Sequence, residues 1–307
     1  WERRKSLKKA AQVGKRRGIG MAAFIANQGS GRPPNAAHAD VVIKNDGTIN
    51  LFIGVVDIGG GQQTIFSMIA AEELGVKVDD ITVMVGDTKD TRYAPSCHSS
   101  RVTAEMGPAV LQAAAEARCE LFEIAAEILG TGTAELQSNQ GEIYVKADPT
   151  KSVSFKAACS KIDPHWPIRG SGSRAINPND PMFATFGAQA AEVEVDIETG
   201  EVNILKLAAA QDFGKAINPK LCISQIYGGI EFGIGYALSE EGIFDPKTGK
   251  MLNNNLHQYR MPTSLDFPHI DAFLVEGEDP YFAYSAKGGA EVTNTPTPAA
   301  IRNAICN

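Results

Sequence analysis

No uninterrupted apolar run approaches the ~20 residues that a bilayer-spanning helix needs, so the chain reads as soluble, with no membrane partner. Cysteine is sparse. Cys97, Cys119, Cys159, Cys222 and Cys306 are odd in number and irregularly spaced, without a C-x-x-C pair. That pattern writes neither a disulfide framework nor an iron–sulfur or zinc site, and free thiols point to a reducing, cytoplasmic compartment. Positive charge is outnumbered as well: 29 Lys and Arg stand against 36 Asp and Glu, a net charge of −7 that argues against a nucleic-acid binder. The chain starts at Trp1 rather than Met and shows no signal-peptide pattern, so it reads as processed, trimmed or incomplete at its start. Against these absences stand 307 residues, 43% of them apolar, a globular composition long enough for one large or two ordinary domains.

The first 18 residues reverse the overall charge, with Lys or Arg at eight positions against Glu2, and read as a solvated helical lead-in or a basic arm for an acidic partner. Beyond them a regular order begins. An alternating strand covers 40–43, Asn45-Asp46-Gly47 turns, and a second strand covers 49–56. After three glycines, Gln62 to Leu74 has helical apolar spacing and is stopped by Gly75. A buried-looking strand at 81–85 precedes the longest helical pattern, about 103–129, whose Gly107-Pro108 predicts a true helix start near 107. Residues 161–183, dense in Pro, Gly, Ser, Asn and Asp, read as a connector. The order then recurs: strands at 189–196 and 202–209, a helix from Pro219 to Leu238, a strand at 270–275, and a helix from Thr297-Pro298 still running at Asn307. The expected fold is α+β with two lobes of related plan, 19–160 and 184–307, each with a β-hairpin and packed helices, joined by 161–183 and preceded by a basic arm, 1–18.

Four constellations could carry chemistry. Gly59-Gly60-Gly61 lies between a strand and a helix starting at Gln62, where bare backbone N–H groups can face an anion with the helix N-terminus behind them. A plain tight turn explains it equally well, and neither nucleotide fingerprint matches, which leaves little for a nucleotide-binding domain. Ser96-Cys97-His98-Ser99-Ser100-Arg101 crowds small donors and a forked cation before the longest helix; the bland alternative is a serine-rich cap. Asp212-Phe213-Gly214-Lys215-Ala216-Ile217-Asn218-Pro219 leads into a helix bearing Gln225 and then Gly228, Gly229, Gly233 and Gly235. Helical glycines cost about 1 kcal/mol each relative to Ala, so four of them predict a close neighbour. Last, Ala286-Lys287-Gly288-Gly289-Ala290-Glu291 offers a lone carboxylate among small residues, a possible general base or an ordinary surface charge.

Taken in order and at these separations, the four segments resemble the C-terminal half of the molybdenum-cofactor subunit of the xanthine dehydrogenase and aldehyde oxidase family, the molybdenum hydroxylases. The resemblance covers nearly the whole chain. It implies that Gly59, Gly60, Gly61 and Gln62 meet the pterin, that Cys97, His98, Ser99, Ser100 and Arg101 lie near the dithiolene and dinucleotide, and that Gln225 and Gly289 contact the cofactor. Glu291 is implied as the catalytic general base. No amino acid is implied as a metal ligand, because molybdenum is held by the dithiolene of the molybdopterin, commonly in its cytosine dinucleotide form. Two departures stand out: Gly60 replaces the family's usual Gln, and Ala290 replaces a Gly. The family's other molybdenum half is absent, which implies a second subunit, as in split enzymes such as nicotinate dehydrogenase, or a cut chain. Iron–sulfur and FAD subunits are implied as partners, with a small molecule as substrate. The expected reaction is oxidative hydroxylation of an N-heterocycle or aldehyde with water as oxygen source. The alternatives are reductive dehydroxylation on the same cofactor and a cofactor-free paralogue acting as an assembly or binding module.

Overall fold

A computed structural model describes residues 13–28, 36–174 and 183–307. The expected arm over residues 1–12 and the part of the expected connector at 175–182 lie outside the described residues. The chain divides into two units. The first unit comprises residues 36–174 with Glu278–Gly288; the second comprises the first strand, Ala184–Gly277 and Gly289–Asn307.

In the first unit, β2 (Ala37–Ile43) and β3 (Ile49–Ile53) form the antiparallel hairpin expected around Gly47, whose φ of 88° suits glycine. Helix α1 (Gln62–Leu74) then crosses to β4 (Ile81–Val85), which runs parallel to β3. Ile49, Leu51 and Ile53 alternate onto the buried face of β3, and Phe66, Ile69 and Leu74 of α1 are equally buried; removing each from water contributes about 1.5–3 kcal/mol. Helix α2 (Val102–Leu129) covers the same unit. It starts five residues before the expected 107, with Pro108 in its interior. The correction has a simple cause. Proline removes a single N–H from the ladder, and a helix buried along this flank, with Ala104, Met106, Ala109 and Val110 at 0–1% exposure, tolerates the loss.

The segment expected as a connector contains β8 (Ile168–Arg174), an antiparallel partner of β2 that completes the sheet order β4-β3-β2-β8. After Ile168 its inward residues are Gly170 and Gly172, not large apolar ones, so little hydrophobic alternation marks it. The glycines serve close packing. A Cβ at Gly170 would lie 2.0 Å from the Ala113 carbonyl oxygen, and one at Gly172 would lie 1.8 Å from that of Ala109. Strand backbone thus rests directly on the Ala109, Ala113 and Ala117 stripe of α2. A small sheet of β5 (Leu136–Asn139), β6 (Glu142–Val145) and β7 (Asp148–Ser154), followed by the short helix α3 (Phe155–Cys159), was not anticipated.

The second unit repeats the plan. β9 (Phe183–Asp196) and β10 (Val202–Asp212) form a hairpin, α4 (Pro219–Leu238) crosses over, and β11 (His269–Val275) runs parallel to β10. β1 (Lys15–Gln28) completes the order β1-β9-β10-β11, and α5 (Pro296–Cys306) corresponds to α2. Even the packing device recurs: a Cβ at Gly18 would lie 2.0 Å from the Ala304 carbonyl oxygen, and one at Gly20 would lie 2.3 Å from that of Ala300. The two lobes of related plan are therefore present. The basic lead-in is corrected from Lys15 onward, because it is strand rather than helix: Lys15 and Arg17 reach Glu194 at 3.1 and 2.8 Å, and these hydrogen bonds hold the Glu194 carboxyl below the usual carboxylate range.

Three of the four glycines in α4 fit the expected close approach. Side chains at Gly229, Gly233 and Gly235 would fall 1.9, 2.2 and 2.0 Å from Thr293, Thr297 and Glu240, whereas nothing lies within 4 Å of a Cβ at Gly228. Gly228→Ala is accordingly expected to stabilise the chain by about 0.5–1 kcal/mol. A rise in the denaturant midpoint at constant slope checks this, and a fall would show that the position is constrained. Among the described residues no helix is long and apolar enough to cross a membrane.

Candidate cofactor site

The glycine loop closes β3 onto α1. Gly59 has φ 99° and Gly61 has φ 76°, left-handed values that let the chain reverse before the helix. The N–H groups of Gly59 and Gly61 do not stand bare as the sequence implied: both donate to Asp57 Oδ1, at 2.9 and 3.2 Å. Asp57 is thus the cap of the loop, two residues ahead of the first glycine, an Asx turn that sequence reading passed over. The Gln62 side chain folds back over Gly60, where a Cβ would lie 2.8 Å from Gln62 Nε2. Gln62 Oε1 is buried and has no hydrogen-bond partner among the described residues. A glycine at 60 therefore makes room for an amide from two residues further on, and leaves one buried acceptor open for a donor.

The serine loop is held by its arginine. Arg101, only 3% exposed, donates from Nε to the Ser96 carbonyl at 3.0 Å and from Nη2 to Ser96 Oγ at 2.8 Å, and lies 3.7 Å from the equally buried Glu105. Its guanidinium shapes the loop from inside. Ser96 Oγ lies 2.5 Å from His98 Nδ1, while Cys97 and His98 are exposed. Ser99 and Ser100 both have positive φ, 55° and 50°, a conformation that costs non-glycine residues energy and persists where surroundings enforce it. One such constraint is visible. Gly288 approaches so closely that a Cβ there would lie 1.6 Å from the Ser100 carbonyl oxygen.

In the second unit Asp212 Oδ1 accepts from the Gly214 N–H at 2.7 Å, and Asn218 caps α4 through the Leu221 N–H at 3.1 Å, with Pro219 at the first turn. Gln225 follows on that helix, half-buried. Gly289 rests on Phe213, where a Cβ would lie 2.4 Å from the ring. Glu291 begins a 3-10 turn, Glu291–Thr293, and is exposed.

Of the four constellations, the structure pairs the serine loop with Gly288 in the first unit, and the Asp212–Pro219 stretch with Gly289 in the second. Sequence reading missed Asp57, and it missed Gln189, a buried glutamine on β9. The signal for Gln189 was present: 187, 189, 191 and 193 share the inward face, and a Gln among Gly, Ala and Val marks a buried polar group.

Residues 1–268 match the family model described as a molybdopterin cofactor-binding domain. The chain is 33% identical, over 99% of its length, to a xanthine dehydrogenase molybdenum-binding subunit of Escherichia coli O157:H7, and 31% identical, over 78%, to the carbon monoxide dehydrogenase large chain of Hydrogenophaga pseudoflava. Its fold superposes on quinoline 2-oxidoreductase from Pseudomonas putida 86 with a TM-score of 0.87, at 26% identity over 98% of the chain. It spans 41%, 30% and 40% of those three proteins, respectively.

Proposed function

The chain belongs to the molybdopterin cofactor-binding family of the molybdenum hydroxylases, and from that premise we propose that it supplies the Glu291-bearing part of the cofactor site of a molybdenum-dependent oxidoreductase. The reaction is oxidative hydroxylation of an N-heterocycle or an aldehyde: R–H + H2O gives R–OH, two protons and two electrons. When bound, the molybdopterin supplies the two-electron redox centre. The residues of this chain do the rest of what concerns us. The Gly59–Gly61 loop with Gln62 holds the pterin, and the Ser99–Ser100 loop holds the dinucleotide phosphates. The unsatisfied Gln62 Oε1 suits an N–H of the pterin ring, and Gly288 fixes the backbone of Ser100. Gln225 orients. The Glu291 carboxylate takes up a proton of the water-derived oxygen as that oxygen is transferred to carbon, general-base help worth about 10²–10⁴ in rate.

The chain spans under half of its relatives; the remaining cofactor contacts come from polypeptide outside these residues, of the same or another chain, and iron–sulfur and FAD groups take the electrons. The cofactor is the cytosine dinucleotide form. What supports this reading is, within the first unit, the Gln62 amide folded over Gly60 with its buried Oε1 left open, and the positive-φ serine loop braced by Arg101 and Gly288. The test is the native complex, offered xanthine, hypoxanthine, nicotinate, quinoline and benzaldehyde in oxygen-18 water. Labelled hydroxylated product from one of them is expected. Loss of a hydroxyl from a hydroxybenzoyl thioester, offered in parallel with a low-potential reductant, would instead assign reductive dehydroxylation, and a complex without molybdenum or pterin would assign a binding module.

A further inference from the structure

The turn carrying Glu291 is gripped by polar groups of its own unit, all buried but Thr295. Gln189 on β9, 3% exposed, donates from Nε2 to the Thr293 carbonyl at 2.5 Å. The Thr297 hydroxyl, fully buried, donates to Gln189 Oε1 at 2.5 Å. The Thr293 hydroxyl, 1% exposed, donates to the Ala290 carbonyl at 2.5 Å, and the Thr295 hydroxyl donates to the Glu291 carbonyl at 3.0 Å. Val292 is fully buried over Gly187, where a Cβ would lie 2.6 Å from Val292 Cγ1. Gly229 and Gly233, one turn apart on α4, are the hollows that admit Thr293 and Thr297, also one turn apart. The backbone carbonyls of 290, 291 and 293 are each held, and the Val292 side chain is locked, while the Glu291 side chain reaches the surface.

A buried polar network is an expensive way to gain stability, because apolar residues of the same volume usually serve as well. What it adds is a single orientation. We infer that Gln189, with Thr293 and Thr297, is a positioning device: it fixes the backbone at Glu291 so that the carboxylate is presented in one geometry. The inference rests on the reading of Glu291 as general base. Gln189→Met and Thr297→Val keep volume and remove the bonds, while Thr297→Ser keeps the hydroxyl.

In the purified molybdenum-loaded complex, with whichever substrate the oxygen-18 test identifies, the first two variants are expected to lower kcat about 10–100-fold, the scale of a small misplacement of a reacting group. KM and molybdenum content are expected to stay unchanged. Thr297→Ser restores kcat, and Gln189→Met adds nothing in a Glu291→Gln background. Amide exchange over residues 292–297 rises about tenfold in Gln189→Met as the local opening free energy falls. Unchanged kcat in both Gln189→Met and Thr297→Val overturns the inference, as does equal loss in Thr297→Ser. Full activity of Glu291→Gln alone overturns the general-base reading. The two failures are separable, because the exchange measurement reports the clamp without turnover.

Discussion

Glu291→Gln is expected to lower turnover of the assembled enzyme by about 10²–10⁴, the usual contribution of a general base, with molybdenum and pterin content unchanged. The substitution keeps the side-chain volume and removes only the ability to accept a proton at neutral pH. The turn itself is secured by other groups: the carbonyls of Ala290, Glu291 and Thr293 and the buried Val292. Folding and cofactor retention should therefore survive. Steady-state kinetics beside metal analysis of the same sample checks the expectation. If the variant keeps more than about a tenth of the activity, proton transfer is assisted from elsewhere and Glu291 is an ordinary surface carboxylate.

The second large effect belongs to packing. Gly172→Val is expected to destabilise the first unit by at least about 3 kcal/mol, the upper range for forcing atoms into a filled interior. A Cβ at 172 would meet the Ala109 carbonyl oxygen at 1.8 Å, and one at 170 would meet that of Ala113 at 2.0 Å. Both obstacles are main-chain atoms of a 28-residue helix, so no rotamer change relieves the clash. The helix must lift, and the contacts of Ala109, Ala113 and Ala117 with the strand are then lost together. Denaturant unfolding reads the result. A change below about 0.5 kcal/mol, the range of an ordinary surface substitution, would show that β8 does not rest on the helix.

The parts of this molecule that declare themselves in sequence are those whose local chemistry and tertiary role agree. Helix α1 is bounded by Gly61 and Gly75, both left-handed, and helix α4 opens on Asn218 and Pro219, so both ends of the first and the start of the second were readable to the residue. The hairpin at Asn45-Asp46-Gly47 carried its own turn chemistry. β8 and the start of β1 were hidden because glycines chosen for backbone contact with a helix, Gly170, Gly172, Gly18 and Gly20, take inward positions and leave little hydrophobic alternation. Pro108 misled because a local rule yielded to burial. In the candidate site the motif spacing singled out loops, but not how they are held. Asp57 occupies two of the N–H groups that an empty cradle would have offered, and Arg101 turns inward to brace its own loop. Gly60 looked like a lost contact; the structure shows the Gln62 amide lying across the space it leaves. Such exchanges between neighbouring positions are invisible until side-chain direction is known.

The account depends on this chain being half of a loaded cofactor site rather than a relic of one. Metal analysis and pterin fluorescence of the complex purified through this chain from its native host test that most directly. Molybdenum and pterin in stoichiometric amounts with the chain, released as the cytosine dinucleotide form on denaturation, are predicted. A complex that holds neither, from cells whose other molybdenum enzymes are loaded, would contradict it.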